Sequence, residues 1–445
     1  MTNESENTPH FHALIPFGIF IGIYLGTGFY LEFSGVKMGF YKLPGPVAAM
    51  VGVAAAFMLF KGSLEQKFND FLSGCGDKNI MTMCVIYLLA GAFAVVSKAM
   101  GGVDATVNLG ITYIPPQYLA AGIFAMASFI SLAIGTSVGA IVALGPIAVG
   151  LAEEGHLSLA LVLAALMGGA MFGDNLSIIS DTTIASTRTQ DVGMQDKFKI
   201  NLYIALPASV LTLILLLIWG QPPHATPVHA HSYELIKTLP YVFVLVLALL
   251  GVNVFLVLFS GIALSGGIGL YGGHFTWLSL GQEVYKGFSS MQEIFLLSLL
   301  TGGLAYMVDK EGGVAWIISK IEGCIKGAKS AKVGIAALVS LVDLAVANNT
   351  VAIVIVGAIS KKISLKFGVD RRESAVILDV FSCVFQGIIP YGAQMLILLS
   401  FAKEHVGFLE VAGFLWYQGL LGLFTFLYIF WGAYSQVVLK RLPPK

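Results

Sequence analysis

The sequence predicts an all-α polytopic membrane protein built as two inverted repeats, each with a re-entrant helical hairpin and a broken transmembrane helix. Three observations lead there. Of the 445 residues, 57% are hydrophobic and 11% charged, where a soluble protein carries about 25% charged residues. Mean hydropathy is +0.85. A soluble core cannot absorb that much apolar surface, so lipid is the solvent for part of it. At roughly 20 apolar residues per crossing the length allows about ten to twelve spans. Second, two apolar runs are too short to cross alone and read as returning hairpin arms. Third, short patterns recur in the same order at a nearly constant offset.

Residues 1–12 are polar, without a basic stretch, and form an N-terminal tail. The run at 13–31 has no small-residue cleavage site after it and reads as a retained first span. Further runs at 44–60, 80–97, 118–134, 138–152, 157–172 and 201–219 complete a first repeat over 13–219. Segment 220–239 holds Pro222, Pro223, His224, His229 and His231 and reads as an exposed linker, not a transition-metal site. Runs at 240–257, 258–272, 291–308, 333–347, 351–360, 374–401 and 410–438 form the second repeat over 240–438, and 439–445 is a tail. The short runs 138–152 and 351–360 are the returning arms. The stretch from Ala315 to Lys332 is amphipathic and reads as an interfacial helix leading into the second hairpin.

Basic residues set the direction. With the N-terminus inside, 19 of the 25 Lys and Arg residues, Lys197 and Lys332 among them, fall in inside loops. Both termini are then cytoplasmic, in an inner membrane. The first half has an odd number of crossings, so the second is inverted. Gly91–Ala94 pairs with Gly302–Ala305 and Gly101–Val103 with Gly312–Val314, each 211 residues apart. Gly135–Gly139 pairs with Asn348–Ala352 and Met171–Asn175 with Val384–Ile388, each 213 apart.

Several functions are disfavoured. Net charge is zero, which points to no nucleic-acid partner. No Walker motif and no HExxH occur, which argues against ATP drive and against a metalloprotease. The four cysteines are scattered and suggest buried packing, not a disulfide framework. The expectation is a non-enzyme without cofactor.

Four polar clusters interrupt apolar runs at membrane depth. They are Gly135, Thr136, Ser137 and Gly139; then Gly173, Asp174, Asn175, Ser177, Ser180, Asp181, Thr182 and Thr183; then Asp343, Asn348, Asn349 and Thr350; then Asp379, Gln386, Pro390, Tyr391, Gly392 and Gln394. The repeat pairs the first with the third and the second with the fourth, as two hairpin tips and two broken helices. Such an inverted repeat with discontinuous helices is the mark of alternating-access transporters. A hard cation such as sodium takes several oxygens from hydroxyls, amides, carbonyls and carboxylates. Thr136, Ser137, Asn349 and Thr350 offer neutral oxygens, and Asp174 and Asp181 offer charge. A carboxylate held away from water takes up a proton when no cation neutralises it, so one Asp can carry either ion. Plainer readings stand beside this one. Ser177, Ser180 and Thr183 can bond their own helix, Asn348 and Asn349 can join helices, and Asp174 or Asp181 can pair with Arg188 or Lys98. Asp343, Asp379 and Gln386 are additional candidates, since an acid within a span is a functional residue by default.

The run Gly173-Asp-Asn-Leu-Ser-Ile-Ile-Ser-Asp-Thr-Thr183 resembles the Gly-Asp-x-x-Ser-x-x-Ser-Asp-Thr signature of the sodium/proton antiporter family of the NhaC type, within the wider ion-transporter superfamily. Gly135-Thr-Ser-Val-Gly139 and Asn348-Asn-Thr350 are similar to that superfamily's paired hairpin-tip motifs, often Ser-Asn-Thr; the first tip departs from that pattern. The resemblance spans essentially the whole chain. It implies two inverted repeats with hairpins and broken helices, commonly assembled as a homodimer in membrane lipid, that exchange sodium for protons. It places Asp174, Asn175, Ser177, Ser180, Asp181 and Thr182 in the signature and Asn348, Asn349 and Thr350 in the second tip. The expected partners are the sodium ion and the proton. The alternative is a sodium- or proton-coupled carrier of an amino acid or small organic acid, gripped by the amide- and hydroxyl-rich tips.

Overall fold

A computed structural model describes residues 8–34, 36, 42–178, 180–222, 233–250, 252–402 and 405–431. The linker histidines His224, His229 and His231 and the tail 439–445 lie outside the described residues. Among the described residues the secondary structure is helical, with no strand. The first half contains α1 (Ile15–Phe33), α2 (Gly45–Leu59), α3 (Leu64–Cys75), α4 (Lys78–Ala99), α5 (Gly102–Tyr113), α6 (Leu119–Ile134), α7 (Ser137–Glu154), α8 (Leu159–Leu176), α9 (Asp181–Gln190) and α10 (Met194–Trp219). The second contains α11 (Leu235–Leu249), α12 (Val254–Tyr271), α13 (Trp277–Ser290), α14 (Gln292–Lys310), α15 (Gly313–Glu322), α16 (Ala328–Val346), α17 (Asn349–Phe367), α18 (Arg371–Ile388), α19 (Ala393–Ala402), α20 (Phe408–Ala412) and α21 (Trp416–Phe430). Eight helical segments among the described residues are long and apolar enough to cross a membrane. The protein is an integral multi-pass membrane protein.

Two hairpins turn on two-residue tips. In the first, Gly135 adopts φ +77° at the end of α6 and Thr136 opens α7. In the second, Ala347 adopts φ +51° at the end of α16, and its N–H donates to the Asp343 carbonyl at 2.7 Å. A left-handed alanine is strained, and such strain persists where surrounding contacts over-determine it. Two long helices are broken in mid-course. Ser177 is extended at the end of α8, and Ser180 is extended before α9. Ile389 is extended at the end of α18, ahead of α19. Each break leaves carbonyls without partners at one end and amides at the other.

The elements recur. α8 and α18 are each 18 residues long and start 212 residues apart; α9 and α19 are each 10 residues long and also start 212 apart. The left-handed N-caps Gly101 and Gly312 are 211 apart. The tips align Gly135 with Ala347 and Ser137 with Asn349, at 212. The offset of 213 read from sequence is therefore one residue too long.

Packing repeats reciprocally. A Cβ on Gly74 of α3 would lie 2.5 Å from the Gly302 carbonyl oxygen of α14, and one on Gly91 of α4 would lie 2.2 Å from the Gly287 carbonyl oxygen of α13. So α3 presses on α14 of the other half, and α13 presses on α4 in return. Neither α3 nor α13 was among the apolar runs. The main apolar cluster joins both hairpins to both broken helices, and a second gathers α1, α2 and α14 with Ala345, Ile389 and Tyr391.

Two further sequence expectations are corrected. The stretch Ala315–Lys332 is not one interfacial helix: it breaks between α15 and α16, and Lys332 is buried. Its ammonium donates to Glu373 at 2.7 Å, and the Tyr428 hydroxyl donates to the same oxygen at 2.9 Å. Lys197 is not a loop lysine. It is 1% exposed, inside α10.

Candidate functional site

Asp174 occupies the last turn of α8, 2% exposed. Its Oδ2 accepts the Ser137 hydroxyl at 2.7 Å and the Ser137 N–H at 3.2 Å. Its Oδ1 accepts the Ser180 hydroxyl at 2.5 Å. The first hairpin tip and the broken helix thus meet on one carboxylate, at the N-termini of α7 and α9, where free amides favour negative charge. Gly173 makes room for this: a Cβ there would lie 2.3 Å from the Ser128 carbonyl oxygen of α6.

Asp181, the first residue of α9, differs. Its side chain is exposed. Its Oδ2 accepts the Thr350 hydroxyl of the second tip at 2.8 Å, and its Oδ1 accepts the Thr182 N–H at 3.0 Å. Ser180 and Thr182 share a hydroxyl–hydroxyl bond of 2.8 Å. On the other side, the Gln394 amide donates to the Ser137 hydroxyl at 3.2 Å, and Gln386 donates to Gln394 at 2.7 Å and to the Ala347 carbonyl at 3.4 Å. The bonds close a ring from the second tip through Gln386, Gln394, Ser137, Asp174, Ser180, Thr182 and Asp181 to Thr350. The repeat sets Gln386 opposite Asp174 and Gln394 opposite Thr182. One half therefore supplies carboxylates where the other supplies amides.

The remaining tip and break residues are placed as follows. Thr136 is half-buried at the first tip and does not cap α7. Asn348 caps α17 by accepting from the Val351 N–H at 3.0 Å and donates to the Met83 sulfur at 3.2 Å, which supports the helix-joining reading for that residue. Asn349 is buried and accepts the Thr350 N–H at 3.0 Å. Ser177 donates to the Leu132 carbonyl of α6 at 2.8 Å. Asp174 is bonded to hydroxyls, with neither Arg188 nor Lys98 as an ion-pair partner among the described contacts.

A second buried cluster lies beside the ring. The Lys197 ammonium is 2.6 Å from Asp379 Oδ2, and donates to the Asn175 carbonyl at 2.5 Å and the Thr183 hydroxyl at 2.8 Å. Asn175 donates to the same Asp379 oxygen at 2.7 Å, and Asn201 donates to both Asn175 oxygens at 2.7 Å. Asp379 therefore already has a cation. Lys197 and Asn201 escaped the sequence reading, which began that span at 201. The signal was available: 197 and 201 are four apart, on the buried helix face shared with Ile204, Ala205 and Ala208. Asp343 is fully buried in α16, away from these bonds, and neither carboxyl oxygen has a hydrogen-bond partner among the described residues.

Facing hairpin tips, two broken helices and carboxylates bonded between them define a multi-pass transporter of the hairpin-and-broken-helix class. The sequence profile of the Na+/H+ antiporter family matches residues 45–221 and 222–433. This chain belongs to that family. Curated relatives include the malate-2H(+)/Na(+)-lactate antiporter of Bacillus subtilis, 26% identical over 67% of this chain and 65% of that protein. An uncharacterized Na(+)/H(+) antiporter of Haemophilus influenzae is 27% identical over 42% of this chain and 40% of its own length. The Na(+)/H(+) antiporter NhaC of B. subtilis is 23% identical over 78% of this chain and 82% of that protein. The matches thus span less than two thirds of the length of the first two. Among solved structures, the Alcanivorax borkumensis YdaH transporter aligns over 96% of this chain and all of its own, at 12% identity and a TM-score of 0.43.

Proposed function

We propose that this protein exchanges sodium for protons across the inner membrane by alternating access. The observation that carries the reading is Asp174, a buried carboxylate held by one hydroxyl from the first hairpin tip and one from the broken helix. A lone charge is costly to reorient through a low-dielectric core. Asp174 therefore crosses with a proton or with sodium, and the two compete. When a proton is bound, it neutralises the carboxylate. When sodium is bound, Ser137 and Ser180 turn hydroxyl lone pairs toward it, since each hydroxyl both donates and accepts. Asp181 and Thr350 tie the second tip to the same cluster, and Thr136, Asn349 and Thr182 add neutral oxygens. The Lys197–Asp379 pair is self-neutralising, so it holds the frame without taking a transported charge.

The same reading divides the chain into a tail at 1–12, a first repeat at 13–219, a linker at 220–239, an inverted second repeat at 240–438 and a tail at 439–445. Both termini are cytoplasmic, and two copies associate in the lipid. The profile match divides at 221/222, inside the proposed linker, which supports that boundary.

The test is transport by purified protein in liposomes with an internal pH dye. An imposed proton gradient should collapse on adding sodium, with wild type but not with Asp174→Asn, and without any amino or organic acid present. A response that needs an amino acid or a carboxylic acid would overturn simple exchange and make sodium a co-substrate. A fully active Asp174→Asn would remove that residue from the site.

A further inference from the structure

Asp343 takes no part in the ring, yet it is the most isolated acid among the described residues. It is 0% exposed, and neither carboxyl oxygen has a hydrogen-bond partner among the described residues. The other buried acids are all provided for: Asp174 by Ser137 and Ser180, Asp379 by Lys197 and Asn175, Glu373 by Lys332 and Tyr428. An ionised carboxylate without donors or a counter-charge is not sustained in such a place. In this conformation Asp343 is therefore a neutral acid. A neutral acid with no partner contributes less to packing than a Leu of similar size.

Its position gives it another use. Asp343 lies one turn before the second hairpin tip, and its carbonyl accepts the N–H of the strained Ala347. The tip is held by Gln386 at the Ala347 carbonyl and by Thr350 at Asp181. Asp343 and Thr350 thus stand on the two arms of one hairpin, on either side of its tip. A cavity of ≈ 20 Å³ opens at this tip, lined by Ser298, Thr301, Ala347, Asn348 and Tyr391 among others. That is room for one water. Tyr391, one of the lining residues, donates its hydroxyl to the Leu344 carbonyl at 2.8 Å, and Leu344 follows Asp343 in the chain. α16 also divides the two apolar clusters, giving Val339, Val342 and Val346 to one and Ala345 to the other. Asp343 sits on the seam between them.

The titratable groups of the elements packed on α16 do not neutralise it. Asp379 of α18 is paired with Lys197, and Glu373 of α18 with Lys332 and Tyr428. Asp309 of α14 is at the far end of that helix and Lys310 pairs with Asp70; Arg371 and Arg372 of α18 pair with Asp191 and Asp370; Lys320 of α15 and Lys362 and Lys366 of α17 are exposed, and Lys361 reaches Asp191. The Tyr391 phenol, bonded to the Leu344 carbonyl beside it in sequence, is uncharged and supplies no counter-charge.

We propose that Asp343 is a second proton-binding residue, apart from the Asp174–Asp181 cluster, that releases and regains one proton in each transport cycle. It rests on the exchange reading above. As the second hairpin moves, the carboxyl O–H breaks, the proton passes to water at the tip cavity, and a hydrated carboxylate remains. The proton returns from the opposite side before the seam closes.

The experiment measures the number of protons exchanged per sodium, from the gradient at which net flux stops in proteoliposomes. Wild type should exceed one proton per sodium. Asp343→Asn, which copies the neutral acid in shape, should keep sodium-dependent exchange with one proton fewer, and Asp343→Glu should restore the wild-type ratio. An unchanged ratio in Asp343→Asn, or a wild-type ratio of one, overturns the proposal. Loss of all sodium exchange in both Asp343→Asn and Asp343→Ser assigns a structural role and also overturns it. Absence of sodium-driven proton flux in wild type is a different failure, that of the exchange reading.

Discussion

The buried Lys197–Asp379 pair offers a sharp test of how the site is held. Replacing Lys197 with Met keeps the stem volume and removes the ammonium. Asp379, 0% exposed, then loses a charge partner 2.6 Å away, while the Asn175 carbonyl and Thr183 hydroxyl lose a donor each. Breaking a buried pair from one side costs about 3–5 kcal/mol, because the other charge is left uncompensated. Removing both charges together, as Lys197→Met with Asp379→Asn, costs much less. Asn keeps an acceptor for the Asn175 amide and leaves no charge behind. The double variant should therefore lie well above the sum of the two singles, with an interaction energy of roughly 2 kcal/mol or more in a double-mutant cycle. Thermal unfolding of purified protein in detergent measures it, alongside sodium exchange in liposomes. Additive losses would refute the argument that the pair is a self-neutralising brace. So would a Lys197→Met variant as stable as wild type.

Other consequences follow from the same contacts. Ser137→Ala and Ser180→Ala each remove one hydroxyl from Asp174, a charged hydrogen bond of about 1.5–3 kcal/mol; the sodium concentration for half-maximal exchange should rise roughly tenfold to a hundredfold, as read by dye-monitored flux. Thr350→Val cuts the second tip from Asp181 and should lower the exchange rate while leaving Asp174-dependent sodium binding in place, as a binding and flux comparison would report. Outside the spans, Asp191 ends α9 beside Lys361 and Arg371, with Arg371 at 3.5 Å. The hydrogen bond and charge of Lys361, helped by Arg371, hold its carboxyl below the ordinary aspartate range. A lowered folded value stabilises above the unfolded aspartate's range and loses that contribution as pH falls through the folded value. Wild type should thus exceed Asp191→Asn in thermal stability at neutral pH, with the gap closing in acid and in high salt.

Much of the candidate site is legible in the sequence because its polar residues stand where lipid-facing helices exclude them. Gly135-Thr-Ser and Asn348-Asn-Thr mark the tips, and the extended residues Ser177 and Ser180 mark the break. What stayed hidden has physical causes. α3 and α13 are amphipathic and bury one face against the opposite half through Gly74 and Gly287, a contact that hydropathy cannot register. Lys197 looked like a loop residue because a buried lysine is credible only beside its acid, and Asp379 lies 182 residues on. The tip offset was misjudged by one because Ala347, not a glycine, takes the left-handed position. Unlike residues at matching places, Asp174 and Gln386, also weaken the sequence match in the candidate site.

The central claim is that sodium and a proton compete for Asp174. It is tested most directly by adding sodium to purified protein in weakly buffered solution and recording proton release. Wild type should release protons in step with sodium binding, and Asp174→Asn should release fewer while remaining folded. Sodium binding to wild type without any proton release would contradict the account.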